Sequence, residues 1–571
     1  MYFQKCSSLL LLLARYLMMV VLFLGAKPMQ AQWDKNYFSA PLDIKLRLAG
    51  NFAEIRGSHF HSGLDFKTDS VEGKNVLATA DGFIARIKVS AVGFGNAIYI
   101  QHPNGLTTVY GHLRRFNDFI DSLVYFEQSK KIKFELDWYP EDDLYKVSKG
   151  EVIGYSGNTG GSAGPHLHFE VRNTDTEKTI NPRLFNFAIE DTIAPILSKL
   201  VVYDGNDVVD ELKPRKDDVG YYIRDTLSVT PRPGFGFEAL DKMNNTYNSM
   251  GIYNVLFTID GNIVWQNRLD SFDFDETRYV NAYIDYSRDY FRNITTERLY
   301  RMPNNGFSTM KSNSTERKVY LNSKEVHKAL LVLEDEAGNK SALTFYFVAN
   351  NLKIKKVAMQ GSKTFLPYSK PYKFQNGEVI FQLNENALFD NIYLQYHKSK
   401  REKKLVSPVY HFNDASFPLN KSASISIRVN GISKQLQPKL VMMRMNKDGS
   451  FAYIGGTLNK NYFVATSKTL GAFALAVDTV APTIKPLFKS DSIISNSDTL
   501  KFRYAEDISG IDNYSLTNNE SKLIVKHDAK YKMLYIETKY LIAAENKLTL
   551  RVEDNRNNVS TYTVTVYRRQ E

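Results

Sequence analysis

Short runs of alternating apolar and polar residues, broken by glycine turns, restrict this chain to a β-rich fold. Asn75-Val76-Leu77-Ala78, residues 82–87, 97–100, 106–110 and 151–155 read as strands of one antiparallel β domain. The most telling run is His166-Leu167-His168-Phe169-Glu170-Val171. Side chains on a strand alternate with period 2, so His166 and His168 face the same way. The loop before them, residues 157–165, holds four glycines and a proline and delivers the chain tightly into that strand. One stretch departs from the pattern. Apolar residues at 116, 119, 120, 123, 124 and 126 predict a helix over 116–131. A strand over 132–138 and a polar turn over 139–143 follow it.

The two ends and the overall composition set the class. Hydrophobic residues at 43% and charged residues at 24% exclude a disordered or collagen-like chain. A length of 571 residues exceeds one ordinary core and implies three to five domains. Lys5 and Arg15 flank an early leucine run, residues 16–26 are almost wholly apolar, and Ala31 suits cleavage, so residues 1–31 read as a signal peptide. The competing reading, an uncleaved anchor over 9–26, is weakened by Arg15 in its middle. No later apolar run is long enough to span a membrane, which predicts an exported protein of the periplasm, cell envelope or exterior. Cys6 is the only cysteine and leaves with the signal, so a metal site in the mature chain must use His, Asp or Glu. The formal net charge of +11 becomes +8 once Lys5, Arg15 and Lys27 are removed. That balance suits anionic envelope polymers, and the absence of a dense Lys/Arg block argues against nucleic acid as partner.

A repeat organises the later part. Asp191-Thr192-Ile193-Ala194-Pro195 recurs as Asp478-Thr479-Val480-Ala481-Pro482. Each copy is followed by an acidic strand segment (237–241 and 504–507) and closes on a similar strand and turn (332–339 and 552–558). Three cues in one order predict a repeated Ig-like β-sandwich module. The expected organisation is a first unit over 33–187 with an insertion at 116–146, then β-sandwich units over 190–350, 352–475 and 477–571.

Chemistry concentrates in the first unit, where six of the ten histidines lie at 59, 61, 102, 112, 166 and 168. His61-Ser62-Gly63-Leu64-Asp65 offers two metal ligands. Read as extended, it places 61, 63 and 65 on one side, with Gly63 leaving room for a metal. With the His166/His168 strand it supplies three good zinc ligands and a histidine to spare, as a catalytic zinc with one open position requires. His59 shares the spacing of His61 and is a fallback ligand, but it is expected to be structural or to support the site without touching the metal, and His102 reads as structural.

Together these segments resemble a known family. His61-x-x-x-Asp65, residues 95–102, Tyr110-Gly111-His112-Leu113, residues 150–160 and Gly164-Pro165-His166-Leu167-His168-Phe169-Glu170 look like the lysostaphin-type (LytM) zinc metallopeptidases of bacterial peptidoglycan. The resemblance covers about residues 45–187. It implies an antiparallel β catalytic domain of the duplicated hybrid motif type, followed here by several Ig-like sandwiches. It implies one Zn2+ held by His61, Asp65 and His168, with His112 and His166 as catalytic histidines off the metal. It implies peptidoglycan as substrate, envelope proteins being further possible partners of the sandwiches. Two other roles stay open: a catalytically silent adaptor that activates other wall hydrolases, and a wall-binding or adhesive stalk. The stretch from Phe116 to Lys146 is longer than in compact relatives and is expected to wall the cleft.

Overall fold

The computed structural model describes residues 33–205, 207–312, 325–350 and 363–569; the expected signal peptide lies outside the described residues. Strands account for 49% of the described residues and helix for 8%, so the described chain is mostly β. The histidine-rich unit is built on one antiparallel sheet. Its strands are β1 (Leu48–Gly50), β2 (Leu64–Lys67), β3 (Gly82–Val89), β4 (Asn96–Gln101), β5 (Leu106–Leu113), β6 (Leu136–Trp138) and, later in the chain, β8 (His166–Asn173). They pair in the order β1-β2-β8-β5-β4-β3-β6. β7 (Val152–Tyr155) belongs to a second, three-stranded sheet with Asn75–Leu77 and Arg115–Phe116.

The period-2 pattern explains which way this sheet faces. Leu64, Phe66, Tyr110, Leu167, Phe169 and Val171 point to one side and are fully buried. Each such side chain contributes roughly 1.5–3 kcal/mol on leaving water. Asp65, Gly111, His166 and His168 therefore occupy the opposite side, and Asp65 and Gly111 lie directly across from His168 on the two neighbouring strands.

Helix α1 (Asp118–Lys131) begins where Asn117 caps it, the side chain accepting from the Ile120 amide at 2.9 Å. Asp118 and Asp121 in its first turn and Lys130 and Lys131 in its last complement the helix dipole. Ile120 and Val124 face the core, whereas Phe119, Tyr125 and Phe126 stay exposed. The strand expected over 132–138 is shorter, because Ile132 takes a left-handed C-cap conformation and pairing starts only at Leu136.

Beyond residue 190 the chain forms pairs of packed sheets. One hydrophobic core runs without a break from Phe38 to Ala349. Phe60 stacks on Phe307 with centroids 4.6 Å apart, Phe52 meets Phe272, and Ser271–Phe272 pairs with Thr179–Ile180. The six- and five-stranded sheets between Lys363 and Val477 enclose a separate core, as do the four- and five-stranded sheets between Thr483 and Arg568. That last unit folds back onto the first. Tyr540 stacks on Tyr125 of α1 at 4.6 Å, and the Tyr514 hydroxyl donates to Glu135 at 2.9 Å. The insertion expected to wall the cleft is thus also the platform on which the C-terminal unit rests. Among the described residues no helix is long and apolar enough to cross a membrane.

Candidate metal centre

β2 and β8 bring three side chains able to bind a metal ion to one point. His61 precedes β2, Asp65 is its second residue, and His168 lies opposite Asp65 on β8. The Nε2 of His61 is 3.1 Å from the Nδ1 of His168. The Oδ1 of Asp65 is 3.1 Å from His61 Nε2 and 2.9 Å from His168 Nδ1. Tetrahedral zinc with ligands at about 2.0–2.1 Å spaces its donors by about 3.3 Å, so the triangle has nearly the right size. All three side chains are buried.

The surrounding hydrogen bonds determine which atoms are free. His61 Nδ1 lies 2.7 Å from the Asn51 carbonyl, which only accepts, so Nδ1 carries the proton and Nε2 keeps its lone pair. His168 Nε2 lies 2.9 Å from Glu170 Oε1, which leaves the Nδ1 lone pair facing the cluster. In the neutral tautomers two nitrogen lone pairs and a carboxylate oxygen then point at one another, an arrangement that a cation satisfies, whether a metal ion or a proton taken up by His168. The pKa of His168 reports the same demand: burial pulls it down, but hydrogen bonds to Asp65 and Glu170 outweigh burial and push it up to about 9. A donor set of two imidazoles and one carboxylate, each oriented by an outer partner, fits zinc.

The outer partners are charged and buried. Glu170 is fully buried; burial alone would raise its pKa, but Arg172 and His168 hold it down at about 2. Arg172 grips Glu170 at 2.5 and 2.6 Å and lies over the rings of Phe274 and Tyr99. Ser62 donates to the same carboxylate. Arg56 bonds the second oxygen of Asp65 at 2.7 Å. The residue reading missed these groups. Glu170 and Arg172 continue the period of His166 and His168, and two charges on a face so enclosed were the available signal; Arg56 and Asn51 had none.

His112 reaches the site by breaking its strand. Regular alternation on β5 would turn it to the core side with Tyr110. Instead His112 has φ +59°, and the register between β4 and β5 shifts at this point. This bulge rotates the ring to the site face, 4.8 Å from that of His166. His112 Nδ1 is 2.8 Å from the Thr159 carbonyl, and His166 Nδ1 is 2.8 Å from the Gly164 carbonyl. Both rings are therefore anchored through Nδ1 and turn Nε2 away from those carbonyls. Burial and then the neighbouring His168 and His166 lower the His112 pKa to about 3, so it is neutral near pH 7. His166 Nε2 is 3.4 Å from Asp65 Oδ1, farther than the three clustered ligands.

One expectation changes. Gly63 does not make room for a metal: a Cβ there would lie 2.3 Å from the Phe169 carbonyl, so the glycine serves the close approach of β8. His59 is exposed and lies outside the cluster. His102 bonds the Asp81 carbonyl and Thr108 and belongs to the core. Gly160, in the glycine-rich loop, has φ +69° and sits where a Cβ would meet the backbone of Gly93 and Gly95. From the C-terminal unit, Lys530 Nζ donates to the carbonyls of Asn158 and Ser162 in that loop at 2.6 and 2.9 Å.

Residues 59–127 and 142–182 match Peptidase family M23, and residues 363–478 match a Zu5-like domain. The DD-carboxypeptidase/endopeptidase Mpg of Neisseria meningitidis serogroup B is 37% identical over 112 residues, which is 20% of this chain and 20% of that protein. The match thus spans a fifth of that relative's length. The peptidoglycan DD-endopeptidase ShyA of Vibrio cholerae serotype O1 is 34% identical over 137 residues, 23% of this chain and 26% of the relative. Among solved structures, the catalytic domain of lysostaphin from Staphylococcus simulans is 25% identical, covers 24% of this chain and 89% of that one, and superposes with a TM-score of 0.19. The unit that carries the His61, Asp65 and His168 cluster is a domain of Peptidase family M23, the LytM or lysostaphin type.

Proposed function

We propose that this protein is an exported, zinc-dependent endopeptidase that hydrolyses stem or cross-link peptides of bacterial peptidoglycan. The observation that carries the proposal is the convergence of His61 Nε2, Asp65 Oδ1 and His168 Nδ1 beside a second pair of imidazoles. In this reading those three residues hold the zinc ion. Zinc, when bound, supplies Lewis acidity toward a water molecule and the scissile carbonyl. Glu170, Asn51 and Arg56 keep the ligands in their binding tautomers and orientations. His112, neutral at working pH, takes a proton from water at Nε2. His166 presents its own Nε2 alongside, suited to bonding the developing oxyanion or returning the proton to the leaving amine. The overall step adds water across one amide bond and releases a carboxylate and an amine. Peptidoglycan as substrate is supported by the names of the relatives and by the basic charge.

The test uses purified residues 32–571 and intact peptidoglycan, with mass spectrometry of the released muropeptides. Solubilisation that disappears on chelation and in His168→Ala is expected. His166→Ala is expected to keep most of its metal and lose turnover. Full activity in metal-free His168→Ala protein would overturn the proposal. An adaptor would instead bind a partner hydrolase and leave the peptides uncut.

A further inference from the structure

The repeated cues of the C-terminal half converge in space on acidic residues. Asp191, in the segment entering the second unit, meets Asp241 at the end of strand Pro233–Lys242 and Asp335 in the closing turn. In the second copy, Asp478, Glu506 and Asp554 do the same at the corresponding places. Within each triad the three ligand oxygens lie within 4.8 Å of one another. An acidic cluster alone carries little, since carboxylates often gather at turns. A second observation separates these two from such clusters. Asp241 is 1% exposed, and neither carboxylate oxygen has a hydrogen-bond partner. Asp478 is fully buried, and its Oδ2 likewise has none. Among the described residues, none of the six carboxylates forms an ion pair.

We propose that each triad is a calcium site, so that the chain binds two calcium ions distinct from the metal of the peptidase unit. The donor sets contain only oxygen, which suits a hard cation and excludes the imidazole-rich chemistry of the His61 cluster. Calcium tolerates the irregular mixture of carboxylates, backbone carbonyls and water that such a corner offers, whereas magnesium requires near-ideal octahedral geometry. The electrostatics agree for the first site. Asp241 is buried with its carboxylate against those of Asp191 and Asp335. Three carboxylates this close repel one another, and a cation among them relieves that repulsion. The placement also has a mechanical consequence. Asp191 and Asp478 lie on the segments that lead into their units, so calcium ties each incoming segment to the body of the sandwich. At the first site the next residue, Glu336, bonds the Asn51 side chain, and the Asn51 carbonyl orients His61.

The experiment uses the full chain, stripped with EDTA and dialysed against calcium or magnesium at about 1 mM, the range of extracellular calcium modules. Elemental analysis is expected to find two calcium ions per wild-type chain and one in either Asp241→Asn or Glu506→Gln. It should find none in the double variant and an unchanged two in His168→Ala. Thermal unfolding guards against misfolding. Asn at 241 removes a repelling charge, so in EDTA the variant should melt at or above the wild type; in calcium it should melt below it. Absence of bound calcium in the wild type, equal retention of magnesium, or an Asp241→Asn protein that melts higher in both buffers overturns the proposal.

Discussion

At the scale of single residues, the proposed metal site predicts a role for the groups that hold His61, Asp65 and His168 as well as for those three. Glu170 is fully buried and fixes the His168 ring through Nε2. Glu170→Gln keeps the shape and removes the charge. It is expected to weaken zinc binding by about 10–100-fold, measured by competition with a chelator. His102 governs a separate property. Burial lowers its pKa to about 4, against the opposing effect of the Asp81 carbonyl. The unfolded chain takes up that proton near pH 6.5, and the folded chain only near 4. The contribution to stability is therefore complete above pH 6.5 and is lost as pH falls toward 4, by up to about 3 kcal/mol. Urea midpoints between pH 7 and 4.5 should fall less steeply for His102→Gln than for the wild type.

At the scale of elements, β2 and β8 are pressed together through Gly63, where the Phe169 carbonyl occupies the space of a side chain. Gly63→Ala must push the strands apart. A loss of about 1–3 kcal/mol by denaturant unfolding is expected, together with weaker metal retention, because His61 and His168 sit on the two sides of that contact. The alternation of β8 was legible in the sequence because a half-buried strand has no other way to arrange apolar and polar residues. Helix α1 was legible for the same reason at its own period. The turn of His112 was not. A bulge is a mismatch between two strands, and no single strand's sequence states the register of its partner.

At the scale of the whole molecule, the C-terminal unit touches the peptidase unit at the loop that leads into His166. Lys530 holds the Asn158 and Ser162 carbonyls, and the Tyr125/Tyr540 stack is another contact between the two units. Lys530→Ala is expected to speed amide hydrogen exchange across residues 157–165 and to leave β8 unchanged; equal exchange in both proteins would show that the contact does not steady the loop. The packing also joins what composition separates. The residue pattern divides the chain near 187–190, yet one core continues from Phe38 to Ala349, since the aromatic faces of Phe52 and Phe60 are covered by Phe272 and Phe307.

The sequence by itself determined the β class, the strand that carries His166 and His168 on one face, and the paired DT-x-AP cues, because each follows from local periodicity or from recurrence. Only the tertiary structure decided that His61 Nε2, Asp65 and His168 Nδ1 share a point, that Arg56, Asn51 and Glu170 orient them, and that the repeat cues close into two carboxylate triads. Those facts belong to pairs of segments distant along the chain. Their distances are set by strand register and by the packing of one unit on another, neither of which is written in any one segment.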